Sequence, residues 1–361
     1  MNGFEKWDKE FREQNLSAFN NNVSGLLWLK VRAICRGKQI KQFVEENKIK
    51  LGTTKVSDQN VELFNLLSKR NDAMLILDKY LTCMNHEWYT EQGVNIEQLK
   101  EDLYKIHYYS WGGDQNNSLD KYFISRYVKV ISDFDELQKR QTEIGINAWN
   151  YVQNSWYNNW TSFLIESLFK RNQKVVSAVG EIKSVDFFVD GYPLDLKVTF
   201  FPSLFMEQKM KESLGKGELA WLKEKCKKLG ITCEKDLSKQ QQLYTLNEKL
   251  KEIGEIQIIE HLRNVRSEII NKSQNCPVEL MKWLYENQGE MRFGAENRIY
   301  LILIDSTDIS ESWKLKRAFS LIEPKVKEYI DNFTSLSLKE IEFEYKKKRY
   351  KALSDVIFIV K

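Results

Sequence analysis

The sequence has little of what zinc sites and disulfide frameworks are made from. Its five cysteines, Cys35, Cys83, Cys226, Cys233 and Cys276, are scattered and never form a Cys-x-x-Cys pair. The three histidines, His86, His107 and His261, are equally dispersed. An odd, unpaired cysteine count argues against a disulfide-stapled secreted domain, and no spacing suits a structural zinc. Reduced, mostly buried thiols are expected instead. Long apolar runs are also missing, since none approaches the roughly 18 residues that a membrane-spanning helix needs. The first residues, "MNGFEKWDKEFREQN", are charged throughout and lack a signal-peptide apolar stretch, so a cytoplasmic protein is expected. Charge of one sign is in small excess, +4, which alone specifies no polyanionic partner. No internal repeat occurs, and low complexity is confined to a short "KQQQ".

What remains is an ordinary globular composition, 42% hydrophobic and 29% charged, on 361 residues. That length suffices for two domains or for one core with a large elaboration. Residues 1–145 are rich in helical pattern. "GLLWLKVRAICRGKQIKQFVEE" and "VELFNLLSKRNDAMLILDKYLTCM" both place apolar residues at three- and four-residue spacing. From 146 the character changes. "INAWNYVQNSWYNNWTSFLIESLFKRN" predicts one long helix on which Trp149, Trp156, Trp160, Phe163 and Ser167 advance by sevens and fours, a stripe expected to pack into the core. Three strand candidates follow, "KVVSAV", "VDFFV" and "YPLDLKVTF". A helical stretch rich in lysine and glutamate occupies about 203–290. "NRIYLILID" then reads as a fully buried strand, "SWKLKRAFSLIEPKVKEYIDNF" as a helix and "IEFEYKKKRYKALSDVIFIVK" as a terminal hairpin. Strands interleaved with helices predict an α/β fold with a sheet of mixed direction.

The chemistry gathers at "VDFFVDGYPLDLKVTF". Asp190-Gly191 is a tight-turn signal that folds two apolar runs back on each other. Alternation then puts Leu194, Leu196 and Val198 on the core side of the second strand, with Asp195, Lys197 and Thr199 on the other. Asp186, on the first strand, can come beside the Asp195/Lys197 face. One reading is a solvated face with turn and edge aspartates. The other is functional. Two carboxylates and an ammonium in an apolar frame are costly without a use, and a hard divalent cation relieves the conflict. Glu166 interrupts the apolar "FLIESLF" upstream and either lies on a narrow exposed stripe or points at something positive. Glu181, between strands, and Asp190, in the turn, are weaker candidates.

Helix with Glu, strand, Asp186, hairpin, then Asp195-Leu196-Lys197 resembles the PD-(D/E)xK nuclease superfamily, the restriction-endonuclease-like fold. Val185-Asp186 stands where the first half of the motif lies, nine residues before Asp195. The resemblance covers roughly 150–200 and, more loosely, the strand at 298–305. It implies a restriction-endonuclease-like mixed β-sheet core (αβββαβ) over 146–361, with a helical insertion at about 203–290 and a large helical N-terminal region at 1–145. The region at 1–145 would serve recognition, a partner or regulation. It further implies a Mg²⁺- or Mn²⁺-dependent endonuclease that hydrolyses DNA phosphodiester bonds, in restriction or phage defence. Asp186 and Asp195 would ligate the metal, Glu166 would be a further direct or water-mediated ligand, and Lys197 would orient or help deprotonate the attacking water. A homodimer is possible by the same analogy. An RNA-directed effector nuclease and a non-catalytic nucleic-acid-binding protein of the same fold are the competing readings. For phosphate contact the candidates are Lys346, Lys347, Lys348 and Arg349 in "YKKKRYK", then Lys314 and Arg317 in "WKLKR"; the lysine-rich stretch at 209–228 is a further candidate. The competing reading of each charge run is a solvated face.

Overall fold

The computed structural model describes residues 3–34, 36–91, 93–110, 118–178, 184–234, 236–287 and 296–361. Six strands, β1 (Val175–Ser177), β2 (Phe187–Val189), β3 (Tyr192–Phe200), β4 (Arg298–Ile304), β5 (Lys339–Tyr345) and β6 (Lys348–Val360), form one sheet in the order β1-β2-β3-β4-β6-β5. The pairs β3–β4 and β4–β6 are parallel, and the other three are antiparallel. The fold is thus mixed α/β, and each strand candidate read from the sequence contains a strand.

Local chemistry accounts for the two hairpins. Asp190 and Gly191 both take positive φ, +48° and +77°, and close β2 onto β3 in a two-residue turn whose twist matches that of the strands. Lys346 and Lys347 do the same between β5 and β6, at +49° and +64°. β4 is buried along all seven residues, as a central strand covered on both faces requires.

Three cores flank the sheet. On one face lie the long helix Gln141–Lys170, the 3₁₀ segment Ile309–Arg317 and the helix Phe319–Asp331. They pack against Phe187, Leu194, Ile299, Leu301, Leu303, Ile357 and Ile359, with Leu196, Val198 and Phe200 half-buried against them. On the opposite face the covering is split. Helices from the N-terminal region bury Phe4, Trp28, Phe43, Phe64 and Leu77 together with Ala178, Val185 and Phe188 of the β1–β2 end. Five helices between Ser203 and Asn287 bury Phe205, Met210, Leu222 and Leu284 together with Tyr300, Ile302 and Phe343. The division expected at 145/146 falls inside the long helix, and two of the cores draw residues from both sides of it, since Leu99, Leu103 and Ile106 pack with the first-face core.

The expected aromatic stripe holds in part. Trp156, Trp160 and Phe163 are half-buried against the first-face core and Ser167 is buried, whereas Trp149 is 65% exposed. The buried stripe is offset to Asn154, Tyr157, Thr161, Leu164, Ile165, Ser167 and Phe169. The N-terminal part of this helix holds a small separate cluster around Tyr122 and Tyr127 instead. Among the described residues no helix is long and apolar enough to cross a membrane.

Candidate active site

β3 alternates between the two faces. Leu194 and Leu196 point into the first-face core, while Asp195 and Lys197 stand opposite Arg298 and Tyr300 of β4 on the other face. That face is the one whose covering is split, so Asp195 and Lys197 fall between the N-terminal helices and the five-helix insertion. Asp195 is half-buried and Lys197 exposed.

Asp186 sits at the point where the ladder changes. Its backbone N–H donates to the Leu194 carbonyl at 2.9 Å, and its Oδ2 accepts from the Leu196 N–H at 2.8 Å. The two bonds bracket Asp195 from either side. They also hold the Asp186 carboxylate in the plane of the sheet, where β2 gives way and the edge of β3 runs on. The side chain therefore takes the place of a missing strand partner.

Burial pushes the Asp186 carboxyl up to about 7, and the charges of Asp195 and then Glu166 add to the rise. The Leu196 N–H and the Lys170 ammonium pull the other way. Three acids predicted from separate elements therefore feel one another in the fold. Repulsion of this kind, on a desolvated carboxyl, disfavours the ionised form until a positive charge arrives.

Each outer acid has a cation of its own. Glu166 is ion-paired with Lys170 one turn along the long helix. Asp195 Oδ2 accepts from Arg298 Nε at 3.0 Å, and Arg298 Nη2 donates to Glu296 Oε2 at 2.6 Å. Glu296 is fully buried. Burial raises its carboxyl to about 8; the Arg298 charge opposes that rise and the Asp195 charge assists it. Burial also pulls the Arg298 guanidinium down, but Tyr300, Asp195 and Glu296 outweigh this and raise it. Neighbouring Asn297 ties the strands: its carbonyl accepts from Asp195 N at 2.9 Å, and its Nδ2 donates to the Pro193 carbonyl at 3.1 Å.

Lys197 lies on the Asp195 face as the alternation predicts. The charge of Lys170 bears on Asp186, and that of Lys197 bears on Lys316. Lys316 is buried in the 3₁₀ segment, donates to Asn158 Oδ1 at 2.7 Å and lies 5.4 Å from the Phe200 ring centroid.

The candidate phosphate contacts divide. Lys346, Lys347, Lys348 and Arg349 are exposed at the β5–β6 tip. Lys314 is exposed and ion-paired with Glu311. Arg317 is not available: it is buried, its Nη1 donates to the Leu103 and Ile106 carbonyls at 2.8 and 2.7 Å, and its guanidinium lies 4.7 Å from the Tyr104 ring. In the 209–228 stretch, Lys209 is ion-paired with Glu212 and Glu279, and Lys216 with Glu224. Glu181 lies outside the described residues.

Two carboxylates with oxygen donors suit Mg²⁺ or Mn²⁺, which are typically held by one or two carboxylates and keep several waters. The rise at Asp186 is a repulsion that such a charge would relieve. Among the described residues no group of three or more histidine, cysteine or acidic side chains closes into a metal cluster. Glu166 is ion-paired with Lys170 while its charge bears on Asp186. Arg298, Glu296 and Lys170 were missed in the sequence, and Lys316 was read only as part of the basic run "WKLKR". The one available signal was an arginine opening the apolar run "RIYLILI". No known family model matches the chain, nor does any curated protein or solved structure.

Proposed function

We propose that the chain is a divalent-metal-dependent nuclease that hydrolyses DNA phosphodiester bonds on a restriction-endonuclease-like core. The observation that carries this reading is the bracketing of Asp195 by Asp186, with the Asp186 carboxyl raised by burial and further by its two acidic neighbours. The order of elements supports it: a helix bearing Glu166, three antiparallel strands, then a strand parallel to the third.

A bound Mg²⁺ or Mn²⁺ would activate water and neutralise charge on the phosphate, which supplies much of the barrier reduction such hydrolysis demands. Asp186 and Asp195 would hold it, and the Leu196 N–H fixes the Asp186 carboxylate in place for that task. Lys197, exposed on the Asp195 face, supplies a positive charge for the phosphate or the attacking water. Lys316, buried beside it with its ammonium lowered to about 8 by burial and by Lys197, adds to the positive potential below that pH.

The register also supports a nucleic-acid track. Asp195 pairs with Arg298, and Arg298 with Ser354. Lys348 precedes Ser354 by six positions on β6, about 20 Å at strand rise. The basic tip thus projects past the end of the sheet where the acids sit, by about the width of a duplex.

Incubation of supercoiled plasmid with the protein and Mg²⁺ or Mn²⁺ tests the reading. Nicking or linearisation is expected, falling at least about 100-fold in Asp195→Ala, in keeping with loss of a metal-ligating group. Equal cutting by the two proteins would reject the site. Cleavage of RNA in preference to duplex DNA would keep the site and change the substrate.

A further inference from the structure

We infer that Arg298 is a built-in counter-cation for Asp195, one that an incoming divalent ion must share the carboxylate with, and that it weakens metal binding at this site. The inference rests on the proposed metal site and adds a residue that sets its affinity.

Arg298 opens β4 directly opposite Asp195 in the parallel register. Its Nε takes Asp195 Oδ2 at 3.0 Å, so one of the two carboxylate oxygens is already engaged. The guanidinium cannot swing away to solvent. It is 7% exposed, packed 5.2 Å from the Tyr285 ring centroid, and held from behind by Glu296 Oε2 at 2.6 Å. Glu296 is fully buried, and its Oε2 is engaged by the arginine it fixes. Tyr285 completes the clamp by donating its hydroxyl to the Glu296 carbonyl at 2.7 Å.

A surface arginine would be screened and mobile, and would bear little on a neighbouring ion. A buried, anchored one acts at low dielectric and full strength. Its charge steadies Asp195 while no ion is bound, and it opposes any further positive charge brought to the same carboxylate. The stability of the metal-free site and its affinity for metal are therefore set against each other through one residue. On the long helix, Lys170 bears the same relation to Glu166.

The test is direct binding of Mn²⁺, followed by the electron paramagnetic resonance signal of the free ion, with no cleavage involved. Arg298→Gln keeps a donor toward Asp195 and removes the charge, and it should bind Mn²⁺ at least tenfold more tightly than the unmodified protein. Arg298→Lys keeps the charge and should tighten binding by less than Arg298→Gln does. Should Arg298→Gln fail to fold because Glu296 loses its partner, the pair Glu296→Gln/Arg298→Gln removes the guanidinium together with the buried carboxyl, which is raised to about 8, and at pH 7 it should still bind Mn²⁺ more tightly than the unmodified protein. Affinity in Arg298→Gln, or in the double variant, equal to or weaker than that of the unmodified protein overturns the inference while leaving the metal site standing. Asp195→Ala separates the two claims. If it binds Mn²⁺ as tightly as the unmodified protein, or if neither the unmodified protein nor Arg298→Gln binds the ion at all, the metal site fails and the inference goes with it.

Discussion

Lys316→Met should stabilise the protein at neutral pH, and the gain should disappear as the pH is raised. Lys316 is 7% exposed, and burial, aided by the charge of Lys197, lowers its ammonium to about 8 from 10.5. A folded value below the unfolded one means that the unfolded chain binds the extra proton between those two pH values. Stability from this group therefore rises with pH across that window and is fully penalised below it. At 1.36 kcal/mol per pH unit, the penalty at pH 7 is about 3 kcal/mol. Methionine forfeits the bond from Nζ to Asn158 Oδ1, worth about 1 kcal/mol. Asn158 Oδ1 still accepts from the Tyr109 hydroxyl at 2.7 Å, so no buried acceptor is orphaned. The apolar chain keeps its place against Phe200. The net gain at pH 7 is about 2 kcal/mol, or about 3 °C in Tm for 361 residues at roughly 2 cal/mol/K each. Near pH 10.5 the gain should become a loss of about 1 kcal/mol, because only the hydrogen bond then remains to be missed. Thermal or urea unfolding of both proteins at pH 7, 8.5 and 10.5 reads the difference directly. A variant less stable at pH 7, or a gain that stays constant with pH, would refute the assignment of a desolvated ammonium.

Three further outcomes follow from other parts of the molecule. Asp186→Asn, unfolded in the presence of a chelator, should be more stable than the unmodified protein at pH 8 and lose that advantage towards pH 4. The folded carboxyl is raised to about 7 by burial and then by Asp195 and Glu166, so its ionisation costs stability as pH climbs. A pH-independent difference in denaturant midpoint would count against this. Gly191→Val should cost about 2 kcal/mol or more in thermal unfolding, since φ is +77° and the added Cβ would stand 2.5 Å from Asn21 Oδ1; Gly145→Ala, inside the long helix with nothing within 4 Å, is the control and should not destabilise. Arg317→Met should lose about 1–3 kcal/mol by leaving the Ile106 carbonyl without Arg317 and the Leu103 carbonyl with only the Ile106 N–H at 3.4 Å, whereas Trp149→Gln, at a 65% exposed position, should change stability by less than about 0.5 kcal/mol. Chemical denaturation curves for the two proteins distinguish these cases.

Much of the sheet was legible because its signals are local. An Asp-Gly pair asks for two left-handed residues, and Asp190 and Gly191 adopt them. An unbroken apolar run of strand length asks for burial on both faces, and β4 has it. Side-chain partners across the fold were not legible, because nothing within a few residues announces them. Arg298 meets Asp195 across 103 positions, and Arg317 meets Leu103 across 214. In one dimension, Lys314, Lys316 and Arg317 form a basic run fit for phosphate. In three dimensions the first is exposed, the second is buried on Asn158 and the third is buried on two carbonyls.

The stripe on the long helix held only in part, for a related reason. Hydrophobicity favours its tryptophans, but a thirty-residue helix, about 45 Å long, outruns the sheet that covers it, so the stripe facing the sheet is chosen by its C-terminal half. There Tyr157, Leu164 and Phe169 are buried, and Glu166 stands between them on the turn whose charge reaches Asp186. The shift in phase that exposes Trp149 therefore also sets where Glu166 lies: turning the helix to bury the tryptophans would carry Glu166 away from the hairpin. Packing and electrostatics make one choice here, and the acidic set depends on which stripe the core selects.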